Sequence, residues 1–229
     1  MPVVIRIFQL LAHFPLSWMQ RLGACLGWIV WFVSPRYRRT FLANVKASGI
    51  ASHLTRPAIA AAGMVVSELP WVWMRSYTQT LNGLVKFDGA EYFEVAMRAG
   101  SGVIIMSPHI GSWEIGAQAI AEKFGPEFGD MVVLFRPARK PWLESLVANA
   151  RTRPFLNSTP TTMSGVRTLI RTLRAGGYTA ILPDQVPPMG QGVWAPFFGR
   201  DVYTMTLLAK LAQQTGAQVI ETWCERLPI

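Results

Sequence analysis

A chain of 229 residues, 51% of them hydrophobic, carries enough apolar side chain for a full core, which excludes intrinsic disorder. Only 15% of the residues are charged, below the roughly one quarter usual for soluble domains, and with nine Trp and ten Met the composition suits a protein that meets lipid. The excess of 22 basic over 13 acidic residues admits nucleic acid, anionic membrane, phosphorylated lipid or an acidic protein as partner; no zinc-finger, RNP or glycine-rich nucleotide motif is present, so nucleic acid is not expected.

Residues 3–33 are mostly apolar, interrupted by Arg6, His13, Pro15, Gln20 and Arg21. The unbroken run, residues 22–33, is short against the ~20 residues of a standard span, and no small-residue cleavage site follows it. Two readings stand: a tilted span with Arg21 reaching back to the interface, or an amphipathic anchor lying in the interface plane. Trp18, Trp28 and Trp31 suit an interfacial belt in either case. Arg36, Arg38, Arg39 and Lys46 follow at once, and the positive-inside rule puts what comes after on the cytoplasmic side. This divides the chain into an anchor, 1–35, and a domain, 36–229. Cys25 and Cys224 lie far apart, which fits a reducing compartment and no disulfide.

The spacing predicts a helix over 36–48, a polar connector over 49–57, and a helical region over 58–81 broken at Pro70, because proline lacks the amide and clashes with the preceding turn. Trp71, Val72, Trp73 and Met74 form an apolar cluster, either core or a second membrane contact. From residue 103 the pattern alternates. Strands are expected at 103–106, 131–135, 179–182 and 218–223. Helices are expected at 113–124, after Pro141, at 165–174 and at 203–215. Strands alternating with helices make an α/β fold, a largely parallel sheet flanked by helices behind an N-terminal helical membrane anchor. In such sheets ligands bind beyond the carboxyl ends of the strands. His109, Arg136 and Asp184 each follow a strand directly.

His109 stands five residues before Glu114 in SPHIGSWEIG, on a strand-to-helix turn. With Ser112 as N-cap, Glu114 takes the second helical position, where the helix dipole favours a carboxylate. From there it can accept the imidazole Nδ1–H and leave Nε2 free as a base, with a substrate hydroxyl as nucleophile. The bare spacing is a weak signal; its place after a strand strengthens it. Arg136 can hold a phosphate, stabilise an oxyanion, or be a solvated loop residue. Arg167, Arg171 and Arg174 share one helix face, which is either solvated or turned to phosphates or an acidic protein. Phe197 and Phe198 either wall an apolar tunnel or pack in the core.

HIGSWE, FRP, GVR, DQ, GVWAPFFG and LAQQTGA occur in this order along nearly the whole chain. The series resembles the bacterial lipid A late acyltransferases, lauroyl and myristoyl transferases of the inner membrane. The resemblance implies transfer of a fatty acyl group from acyl carrier protein to a hydroxyl of a lipid A precursor, with the catalytic domain on the cytoplasmic face. It implies His109 and Glu114 as catalytic dyad, with Arg136 and Asp184 supporting. Ser112, Trp113, Gln185, Phe197 and Phe198 are the further substrate-side candidates. Arg167, Arg171 and Arg174 are the candidate docking stripe for the acidic carrier protein. No metal and no resident cofactor are expected, since phosphopantetheine arrives on the donor. Three departures stand out: Ser112 replaces a usual Asn, Glu221 replaces a common proline, and members generally continue past this end, so the chain reads as truncated. Two other readings remain: acylation of another glycolipid or a lysophospholipid, and a non-catalytic lipid-binding remnant.

Overall fold

The computed structural model describes residues 3–76, 78–135 and 153–227. The chain divides into two compact units. One comprises Met1–Arg75 with Ala195–Val202 and Leu227–Ile229; the other comprises Ser76–Trp194 and Tyr203–Arg226.

The first unit is helical: α1 (Val3–Leu11), α2 (Leu16–Val33), α3 (Pro35–Ser48) and α4 (Thr55–Met74), with a 3-10 turn at Ser52–Leu54. Local signals set these limits. Pro15 precedes α2, and Ser34 caps α3 by accepting from the Tyr37 amide, with Pro35 at the first helical position. Gly49, at φ +67°, ends α3 in the left-handed conformation. The expected break at Pro70 does not occur: α4 runs through it to Met74 with Pro70 buried. Packing of the preceding turns carries the helix across the missing hydrogen bond. The expected connector is also shorter than 49–57, because α4 begins at Thr55 and takes Pro57 into its first turn, where no intrahelical donor is needed.

The α2–α4 contact is made by glycines. A Cβ on Gly27 would fall 2.4 Å from the Ile59 carbonyl oxygen, and one on Gly63 would fall 2.0 Å from that of Gly23. Such approach is open only to residues without side chains. Gln20 donates to Glu68 across the pair at 2.8 Å, which satisfies part of that buried carboxylate's hydrogen bonding. Among the described residues, Ser52–Met74 is the one stretch long and apolar enough to cross a membrane; 3–33, bent between α1 and α2, is not.

The second unit is built on a five-stranded, all-parallel sheet in the order β3-β2-β4-β1-β7, with β1 (Val103–Met106), β2 (Met131–Phe135), β3 (Leu156–Pro160), β4 (Tyr178–Ile181) and β7 (Gln218–Glu221). Alternating residues serve opposite faces. Val103 and Ile105 join Phe93, Met97, Phe124 and Met131 under α5 (Ala90–Arg98) and α6 (Trp113–Phe128). Ile104 joins Leu169, Leu173 and Leu211 under α7 (Met163–Arg174) and α8 (Leu207–Thr215). Covered on both faces, the central strands β1 and β4 are the buried ones, which suits the unbroken VIIM of β1, while the edge strands β3 and β7 stay partly exposed.

The α/β architecture is as expected, with local corrections. β3 is an additional edge strand, written in the polar LNSTP that no apolar run announces. Residues 192–205 form a hairpin, β5 (Gly192–Phe197) and β6 (Arg200–Met205), so the helix expected from 203 begins at Leu207. Gly199, at φ +71°, supplies a turn that only glycine adopts freely. The helix expected after Pro141 lies outside the described residues.

Candidate active site

β1 and β4 are neighbours, paired through Met106 and Ile181. Ser107 extends the pairing by donating its amide to the Ile181 carbonyl at 3.1 Å. From this common edge the two segments part. The chain after β1 turns to α6 on the Phe124 face. The chain after β4 goes by the hairpin to α8 on the Leu211 face. Adjacent parallel strands whose continuations leave to opposite faces open a crevice between their carboxyl ends. His109 and Asp184 meet there.

Asp184 holds His109 at two points. Its Oδ2 accepts the backbone amide of His109 at 2.8 Å, and its Oδ1 lies 2.6 Å from the ring Nδ1. Burial pushes the Asp184 carboxyl up, but the ring and amide hydrogen bonds of His109, and its charge, outweigh that; the result is a carboxyl below the usual range. On the other side of the ring, the Gln185 amide nitrogen is 3.3 Å from Nε2. One assignment satisfies both contacts: Nδ1–H donates to Asp184, and the Nε2 lone pair accepts from Gln185. Trp113 packs edge-on against the imidazole, with centroids 4.8 Å apart. The imidazole is thus held in orientation and tautomer, with Nε2 facing the Gln185 amide.

Sequence spacing assigned Nδ1 to Glu114, and the structure gives that nitrogen to Asp184, 75 residues on. Glu114 does occupy the second position of α6, and it is buried there. Ser112 takes the N-cap position, but its side chain makes no capping hydrogen bond.

The two glycines of the motif explain how the loop is built. Gly111 has φ +62°, and a Cβ there would lie 2.0 Å from the Cys224 carbonyl oxygen. That carbonyl accepts the Ser112 amide at 2.7 Å, and Arg226 donates to the Gly111 carbonyl at 3.0 Å. Gly116 leaves room for the Cys224 side chain, since a Cβ there would meet the Cys224 Cβ at 2.9 Å. The segment following β7 is therefore the clamp on the His109 loop. Sequence reading missed Cys224 and Arg226 in this role; the glycine spacing of HIGSWEIG was the available signal.

The remaining candidates are dispersed. Arg136, with its neighbours Arg139 and Lys140, lies outside the described residues. Phe197 and Phe198 stack edge to face at 4.6 Å near the tip of the β5–β6 hairpin and are 60% and 57% exposed. Arg167, Arg171 and Arg174 all sit on the exposed face of α7, opposite the buried Gly165, Leu169 and Leu173. Among the described residues no cluster of His, Cys, Asp and Glu is suited to a metal ion.

The family described as bacterial lipid A biosynthesis acyltransferase matches the chain over residues 2–228. A lipid A biosynthesis acyltransferase of Haemophilus influenzae is 30% identical over 135 residues, 59% of this chain and 41% of that protein. The matched stretch thus spans less than half the length of that relative.

Proposed function

The chain belongs to the bacterial lipid A biosynthesis acyltransferase family, and from that premise we propose that it moves a fatty acyl group from an acyl-carrier-protein thioester to a hydroxyl of a lipid A precursor at the cytoplasmic face of the inner membrane. The observation that carries the chemistry is the two-point hold of Asp184 on His109. A hydroxyl is a poor nucleophile until a base takes its proton in the transition state, a contribution of roughly 10²–10⁴. His109 Nε2 takes that proton as the hydroxyl oxygen attacks the thioester carbonyl. Gln185, at 3.3 Å, makes only a long contact to Nε2, which an entering hydroxyl can replace. The tetrahedral intermediate then collapses, the carbon–sulfur bond breaks, and the imidazolium returns the proton to the departing thiolate. The products are an ester and the free carrier thiol.

Asp184 serves as orienter and counter-charge. With its pKa lowered, it is a carboxylate near neutral pH, where it compensates the imidazolium without taking the proton itself. Glu114 is the second acidic group of the site, on the first turn of α6. The positive end of the α6 dipole begins four residues after His109, a favourable place for the negative charge that develops on the carbonyl oxygen. Arg136 is the side-chain candidate for the same charge. The α7 arginines form the docking stripe for the acidic carrier.

The test is a transfer assay on the full chain in lipid–detergent micelles, with an acyl-carrier thioester and a lipid A precursor, read by mass spectrometry. A mass gain of one acyl group, lost by a factor of at least about 10² in His109→Ala, is expected. Turnover of His109→Ala within a few-fold of the unmodified chain overturns the assignment. Acylation of a lysophospholipid but not of the glycolipid replaces the acceptor.

A further inference from the structure

Residues 1–75 hold eight of the 22 Lys and Arg of the chain and one of its 13 acidic residues, Glu68. Nearly all the net positive charge therefore belongs to the helical unit. The same unit leaves large apolar side chains outside, among them Leu10 on α1, Ile29 and Phe32 on α2, and Val66 on α4. An exposed apolar surface combined with such a charge excess matches one kind of partner, an anionic lipid surface.

The glycine contacts fix how that surface can be met. Gly23 lies against Met64 and Ser67, and Gly27 lies against Ile59, so advance along α2 is matched by retreat along α4. The two helices are antiparallel and in backbone contact, and they must share one depth in any membrane. The start of α2 and the end of α4 are at one end of the pair. α1 is tied to that end by Phe8, stacked on Trp73 at 6.0 Å. α3, with Arg36, Arg38, Arg39 and Lys46 and no acidic residue, leaves from the other end.

If this pair crossed the bilayer, α3 and the chain from residue 76 onward would emerge on opposite sides. The positive-inside rule assigns α3 to the cytoplasm. The sheet unit with His109 would then be outside, cut off from an acyl-carrier thioester made in the cytoplasm. A pair that lies in the plane of one leaflet keeps both on the same side. It also leaves Arg21 and Arg56, near opposite ends of the pair, at the headgroups.

We propose that residues 3–75 form a monotopic hairpin anchor, seated in the headgroup and outer acyl region of an anionic leaflet, with α3 and the exit at Arg75 both on the cytoplasmic face. This rests on the acyl-carrier reading above, and it replaces a transmembrane span with a one-sided attachment.

The test is single-cysteine labelling of the full chain with a membrane-impermeant maleimide, after Cys25→Ala and Cys224→Ala. Ala43→Cys reports on α3, and Gln79→Cys reports on the chain beyond α4. Both are expected to label in inverted inner-membrane vesicles and to stay unlabelled in intact spheroplasts. Labelling from opposite sides overturns the proposal. In parallel, the purified chain is co-sedimented with phosphatidylcholine vesicles with or without phosphatidylglycerol. Binding should strengthen with phosphatidylglycerol and fall by about a hundredfold when Arg36, Arg38 and Arg39 become Gln, since each basic residue near an anionic surface is worth about fivefold. Equal binding to both vesicle types overturns the anionic-leaflet part. His109→Ala must leave both readouts unchanged. If transfer fails while both cysteines label from the cytoplasmic side, the acyltransfer reading falls and the anchor stands.

Discussion

The helical unit is the more apolar of the two in sequence, yet the two units use their apolarity differently. In the sheet unit, Val103, Ile104, Met131, Leu169, Leu173 and Tyr178 are wholly buried between strands and helices. In the helical unit, Phe32 and Val33 are 68% and 75% exposed, and the core hydrophobic side chains among residues 3–75 are few: Met19, Ile59, Trp71 and Val72. The sheet unit buries much of its hydrophobic surface within itself, whereas the helical unit leaves large apolar side chains exposed. Close glycine contacts join α2 to α4 in the helical unit. On the proposed function, chemistry falls to the sheet unit, which carries His109 and Asp184, and membrane attachment to the helical unit.

If that division holds, damage to one unit should spare the role of the other. The largest effect is expected in the site. Asp184→Asn should lower turnover by at least about 10²-fold, toward the roughly 10⁴-fold seen when a triad loses its orienting carboxylate, while membrane retention is unchanged. Glu114→Gln should cost less, because Nδ1 is held by Asp184. The reverse ranking would return the orienting role to Glu114.

Leu173→Ala should destabilise the sheet unit by about 2–5 kcal/mol, since it empties a wholly buried position. Chemical denaturation followed through the sheet unit would measure this, and fractionation should still find the protein on membranes. Gly63→Leu is the mirror experiment. Its side chain would collide with the backbone of Gly23 and Gly27, an overpacking cost of at least about 1–3 kcal/mol. Membrane retention should drop, and transfer measured with both substrates in detergent micelles should persist. If Gly63→Leu abolishes turnover in detergent, the two units are not functionally separable.

A smaller effect concerns acid. The Asp184 pKa is lowered in the folded protein, so its stabilising contribution is complete above the unfolded value of about 3.9 and is lost as pH falls through the lowered one. Asp184→Ala should therefore be less stable than the unmodified chain near neutrality, and the two should converge at strongly acid pH. Convergence already near pH 6 would mean the carboxylate is not held as described. The smallest effect is expected on α7. Charge reversal at Arg171 and Arg174 should raise the apparent KM for the carrier thioester and flatten its salt dependence, with kcat nearly unchanged, because exposed charges act over about a Debye length, ~8 Å at physiological ionic strength. A fall in kcat at constant KM would make the stripe part of acceptor binding instead.

Local rules made much of this legible. The short VIIM run reads as a buried strand and is one. The arginine stripe opposite Leu169 and Leu173 follows from helical periodicity. The order Ser34, Pro35 and Gly49 writes the ends of α3 as cap, first turn and stop. His109 is readable as a candidate base because it follows a strand and precedes a helix. β3 was not legible, because a polar edge strand lacks the apolar signal that marks its neighbours. The continuity of α4 through Pro70 was not legible either, since proline propensity argues against it and only packing overrules it.

The partner of His109 marks where sequence stops. Spacing along the chain favours the nearest carboxylate, Glu114, because linear reading knows only i and i+5. Strand order decides otherwise: β4 enters the sheet beside β1 after two intervening strands and delivers Asp184 to the imidazole from 75 residues away. The same holds for the Cys224 clamp on Gly111 and for the contact of Gly23 with Gly63. Residue types and their local periodicity are fixed by short-range sterics and hydrophobic pattern, which the sequence carries directly. Which of two carboxylates meets the base, and which glycines meet each other, is decided only when distant segments are packed, because their free energy comes from contacts that do not exist until the fold closes.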